Sequence, residues 1–113
     1  MKIKIHVTKE IIMKGECGEP QKCAVALALS DIVDYVNVGC RSISGVIGGY
    51  KFYTILPQEA TVFIDDFDFA GEDRGDLEPI SFEIDLPDGI IEKIGIGEVY
   101  RILSESKTLE LVP

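Results

Sequence analysis

Polar and apolar residues alternate from Lys2 to Val7, with Ile3, Ile5 and Val7 on one side and Lys2, Lys4 and His6 on the other. A period of two predicts a half-buried strand. Thr8 then carries the side-chain oxygen expected of a helix N-cap, and Val7 and Ile12 bracket it as a hydrophobic staple. Ile11 and Ile12 give this short helix an apolar side, and Gly15 ends it. After a turn-rich stretch from Gly15 to Cys23, Pro20 suits the first turn of a second helix, and the spacing predicts that helix over 20–33. It is alanine-rich and apolar nearly all round, so it is expected to be buried under a sheet.

From Tyr35 the period returns to two. YVNVGCR, SISGVIG and YKFYTIL read as three short antiparallel strands, with a tight turn at Gly48-Gly49. Pro57 is expected at the first position of the next helix, where Ala60, Phe63, Ile64 and Phe67 make one apolar stripe opposite Glu59, Asp65, Asp66 and Asp68. Residues 70–78 read as an acidic loop. Pro79 to Leu86 alternates cleanly, with Ile80, Phe82, Ile84 and Leu86 inward. Asp88-Gly89 marks a turn, and residues 88–104 fit strand or helix, with Gly95 and Gly97 weakening helix. KTLELV closes the chain as a strand. The order predicts one α+β domain over 1–113, with a mainly antiparallel sheet of five or six strands packed against two or three helices.

Charge changes this picture more than composition does. The apolar fraction of 46% is that of a folded domain, and no apolar run approaches the length that spans a bilayer. No membrane partner is therefore expected. The net charge of -9 sets repulsion against phosphate backbones, so long nucleic acids are not expected partners either. The charge is unevenly spread. Residues 1–56 hold seven bases and five acids, a balance of +2, whereas 57–113 hold four bases and fifteen acids, a balance of -11. Between 65 and 88 there are ten acids and one base, Arg74. Asp65, Asp66, Asp68, Glu72, Asp73 and Asp76 are thus the candidate protein-binding face.

The basic half offers a different chemistry. Gly15, Gly18 and Lys22 lead into a predicted helix N-terminus, which can hold an anion through backbone N–H groups. Arg41 and Lys51 would join Lys22 around a small anionic ligand, with Tyr50 or Tyr53 stacking on its base. Three cysteines cannot all pair, and without a signal peptide at the start the thiols are expected to be reduced in a cytoplasmic setting. Cys17, Cys23, Cys40 and His6 could supply four metal ligands, but their spacing lacks a zinc knuckle, so no metal or other cofactor is expected. Asp66 to Gly71 brushes the calcium-loop pattern, but Ala70 and Leu77 stand where oxygen ligands are needed. Cys23 with Lys22 beside it is the candidate nucleophile of a thiol enzyme, with His6 as its base. His6 is the only histidine and no G-x-S-x-G occurs, so no Ser-His-acid set is assembled from sequence.

Several segments together resemble small proteins encoded by phages and prophages. They are Val7-Thr8 with Ile11, Ile12 and Gly15; Cys23 to Leu29; Leu56 to Ala60 with Phe63 to Asp68; and Phe82 to Pro87. Their order covers roughly residues 5–87. Where those proteins begin the alanine-rich helix with a Cys-Pro step, this chain has Cys23-Ala24. The resemblance implies a context, a phage accessory product in a bacterial cytoplasm, and brings no activity with it. The expected function is non-enzymatic: binding and neutralising a host component, such as part of a defence system. The means would be the acidic face, or sequestration of a small anionic nucleotide by a self-associating chain. A minor structural or assembly role in the virion and a small thiol-dependent enzyme are the alternatives.

Overall fold

In the computed structural model, which describes residues 1–113, Lys2–Val7 forms β1 and pairs antiparallel on both sides. Its partners are β5 (Ile80–Asp85) and β6 (Leu109–Leu111), so the first strand sits at the centre of a three-stranded sheet, β5-β1-β6. Ile3, Ile5 and Val7 are wholly buried on the inner face, as the alternation predicts. Thr8 caps α1 (Lys9–Lys14) by accepting from Ile11 N at 3.3 Å, and both staple residues, Val7 and Ile12, are fully buried.

A second antiparallel sheet, β2-β3-β4, is a meander of Tyr35–Val38, Ser42–Ile47 and Tyr50–Ile55. Gly48 and Gly49 both have positive φ (56° and 82°), the backbone that a two-residue hairpin turn requires. The expectation of one sheet is thereby corrected to two sheets of three strands. Short connections close the meander locally, while β1 takes its neighbours from the far end of the chain. Gly45 shows how closely the meander is packed. A Cβ there would collide with the Tyr35 carbonyl oxygen and come within 3.1 Å of the Phe52 ring. Gly45→Ala is expected to lower stability by about 2–3 kcal/mol, as overpacking does. Gly75→Ala, which meets open space, should stay within about 0.5 kcal/mol of the parent. Urea melts of the two variants check this.

The helices fill the space around both sheets. The second helix, α2, is only Ala24–Ala28, which corrects the expected 20–33. Its N-cap is Cys23, and Pro20 lies outside it, its carbonyl accepting from Val38 N beside β2. At the other end Thr108 Oγ1 donates to Ala28 O, and Asp34 N already bonds Val46 O of β3, so the chain turns through Ser30 and Asp31 instead of continuing the helix. α2 packs against β1 and β2 and so joins the two sheets. α3 (Gln58–Ala70) lies against β5, with Ala60, Phe63, Ile64 and Phe67 buried. Pro57 is its N-cap in extended conformation and not its first residue. The acidic loop contains a 3-10 turn, Gly71–Asp76. Residues 88–104 resolve into helix: α4 (Asp88–Ile94) and α5 (Ile96–Glu105), divided by Gly95 at φ 87°. A single cluster of 28 buried side chains runs through both sheets and all five helices. No helix is long and apolar enough to cross a membrane.

Candidate functional site

The outer side of α3 and the turn after it form the most unusual surface. Residues 62, 65, 66 and 69 follow helical spacing on the side opposite Phe63 and Phe67. They are Val62, Asp65, Asp66 and Phe69, and all are exposed. Phe69 is 95% exposed, as if no protein surrounded it. Asp68 follows on the same stretch, and Glu72, Asp73 and Asp76 continue the acids along the 3-10 turn, all exposed. None of Asp65, Asp66, Glu72, Asp73 or Asp76 has a cation within 4 Å.

Arg74, the one base of the stretch, is turned inward and leaves this charge uncompensated. Its guanidinium lies 5.6 Å over the Phe67 ring, donates to the Gly15 carbonyl and approaches Cys17 Sγ at 3.7 Å. Lys9 secures the same turn from below by donating to the carbonyls of Gly75 and Leu77. The turn is therefore held by bonds on its inner side and presents carboxylates outward. Asp68 differs from the other acids, because its Oδ1 accepts from Gly18 N at 3.1 Å and ties α3 to the loop before α2.

That bond also bears on the expected anion site, since the loop amide of Gly18 already meets a carboxylate. The structure does not gather the basic residues around one cavity. Lys22 is exposed and 3.8 Å from Glu16. Arg41 lies in the turn between β2 and β3, where its carbonyl accepts from Leu56 N. Tyr50 faces inward and packs on Gly89. Lys51 and Tyr53 do share a surface, the uncovered face of β2-β3-β4, with Tyr35, Val46 and Ile55. None of Lys22, Arg41, Tyr50, Lys51 or Tyr53 lines any of the five principal clefts.

The three thiols are free and lie in different settings. Cys17 donates to Phe67 O at 3.2 Å, Cys40 is exposed in the turn after β2, and Cys23 is buried at the start of α2. Burial pushes the Cys23 thiol up, against the opposing pull of the Ala26 and Val25 backbone N–H groups. A raised thiol is the reverse of what a nucleophile needs. The expected base is also elsewhere, since both His6 ring nitrogens are held by Ser81 and Glu110. Cys23 keeps its proton in the fold to higher pH than in the unfolded chain. Its contribution to stability is therefore complete below the unfolded thiol's range, about pH 8.5, and is lost as pH rises through that range and the folded one. Stability measured between pH 8 and 10 is expected to fall less steeply in Cys23→Ala than in the parent. Iodoacetamide should modify Cys40 first and Cys23 last.

Sequence reasoning missed two features. Phe69 stands two residues, or about 200° of helix, from Phe67, and that offset from the apolar stripe was the available signal. The second is the contact of His6 with Ser81 and Glu110, which lie 75 and 104 residues away. No short-range pattern could supply it. No family model matches this chain, and no curated protein or solved structure is significantly similar to it.

Proposed function

We propose that this chain works by stoichiometric docking: its acidic α3 face binds a basic surface of a host protein and neutralises it. Phe69 carries the reading. An aromatic ring left in water at the centre of a carboxylate field forgoes about 1.5–3 kcal/mol that burial would return, and aromatic anchors ringed by charge are the usual hot spots of protein interfaces. The partner is a protein with an apolar pocket rimmed by Lys and Arg. The resemblance to phage-encoded proteins makes a host defence component the natural target, met in the bacterial cytoplasm. The uncompensated acids would steer encounter and the ring would hold the complex.

The test begins with a photo-crosslinking residue at position 62, beside the ring, in bacteria carrying the protein. The captured partner is then produced and its affinity measured. Asp65→Asn, Asp66→Asn, Glu72→Gln and Asp73→Asn together should slow association at least tenfold at low salt. Asp68 is left intact because it holds the Gly18 amide. An association rate that ignores both these changes and ionic strength would dispose of the reading.

A second reading rests on Lys51 and Tyr53 sharing the open β2-β3-β4 face with Tyr35. A small anionic nucleotide could stack there beside the ammonium. It predicts a thermal shift with at least one member of a nucleotide panel, lost in Tyr53→Ala.

A further inference from the structure

Outside the acidic face, the best-formed cluster of reactive groups stands on the outer surface of β5-β1-β6. His6 Nδ1 lies 2.6 Å from Ser81 Oγ, and His6 Nε2 lies 2.9 Å from Glu110 Oε1. The strand register produces both contacts. Ser81 is directly opposite His6 across the β1–β5 pair, and Glu110, opposite Lys4 on β6, reaches His6 along the diagonal. In the tautomer that carries its proton on Nε2, His6 donates to the carboxylate and its Nδ1 accepts from the Ser81 hydroxyl. A hydroxyl bonded to an imidazole that a carboxylate orients is the arrangement of an activated nucleophile.

On the β6 side, His6 and Glu110 also line the largest of the principal clefts, about 630 Å³. Tyr100, Leu103 and Leu111 give it an apolar wall, and Lys107 stands at it too. We propose that Ser81, His6 and Glu110 form a hydrolytic site for small carboxylic esters, with Ser81 on the β5 side of His6 and outside this cleft. Ser81 Oγ attacks the ester carbonyl carbon while His6 Nδ1 takes the hydroxyl proton. The bond to the leaving alcohol then breaks, and the alcohol departs with that proton. Water attacks the acyl-serine, His6 again taking a proton and passing it to Ser81 as the carboxylic acid leaves. Lys4, the next residue on the same face of β1 and paired across to Glu83 and Glu110, is the cation nearest along the strand to the developing oxyanion. One mobile ammonium stabilises an oxyanion less than fixed backbone donors do, which confines the site to esters with good leaving groups. Ser81 and His6 are the catalytic residues, and Glu110 is a positioning residue.

The test does not depend on the docking partner. A fluorophosphonate forms an oxygen–phosphorus bond with an activated serine and releases fluoride, and peptide mapping locates the adduct. Ser81 is expected to be labelled at least about 100-fold faster than Ser104, an exposed serine that lines the cleft beside Glu110. His6→Ala should remove that advantage. Glu110→Gln should lower it at least tenfold and Glu110→Asp should restore part of it, at unchanged melting temperature. Labelling of Ser81 no faster than of Ser104, or a rate indifferent to His6→Ala, overturns the proposal.

Discussion

Phe67→Ala is expected to cost the fold about 3–5 kcal/mol and to lower its melting temperature by roughly 12–25 °C. Phe67 is 1% exposed and does three things at once. Its ring stacks with Phe63 at a centroid distance of 6.1 Å along the inner side of α3. The ring also supports the Arg74 guanidinium, which in turn holds the Gly15 carbonyl. Its edge also fits against Gly15, where an added Cβ would come within 2.9 Å of the ring. Removing the ring leaves a cavity and frees Arg74, one of the two cations, with Lys9, that anchor the 3-10 turn. Loss of the acidic face's rigidity should accompany the loss of stability, seen as faster amide exchange over 71–77. Circular dichroism melts and urea titrations measure the first effect. A loss under about 1.5 kcal/mol would mean that α3 is held mainly by other contacts.

Phe69→Ala is expected to do the opposite. Two residues along the same helix, it should leave stability within about 0.5 kcal/mol of the parent while weakening the host complex about 30- to 1,000-fold, the range of a hot-spot aromatic. The contrast follows from exposure alone, 1% against 95%. The effect should fall on dissociation, because the ring is held only after contact. Neutralising Asp65, Asp66, Glu72 and Asp73 should act on association and lose its influence as salt rises. A Phe69→Ala protein that binds as tightly as the parent, with a normal melt, would remove the anchor from the proposal.

Alternation made the strands legible where one face meets the core and the other meets water. Lys2–Val7 and Ile80–Asp85 fall where the period of two puts them, and the stripe of Ala60, Phe63, Ile64 and Phe67 is the buried side of α3. Alternation does not say which strands pair, so β1 at the centre of its own sheet, apart from the meander, was beyond reach. The segment 20–33 reads as one helix because Ala and Leu favour helix. It stops at Ala28, where Thr108 takes the Ala28 carbonyl and Val46 takes the amide of Asp34 just beyond the segment. Gly95 was legible as a weakness of helix but not as the joint between two helices. The acidic surface was legible as charge. Its inward-facing Arg74 and outward-facing Phe69 needed the fold.

The central claim, docking through the α3 face, is tested most directly by the affinity of the crosslinked host partner at about 50 and 500 mM salt, for the parent and for Phe69→Ala. Because the Debye length shrinks over that range, the parent complex should weaken at least tenfold with salt. Phe69→Ala should be at least 30-fold weaker than the parent at both concentrations. Equal affinities for the two proteins, unchanged by salt, would contradict it.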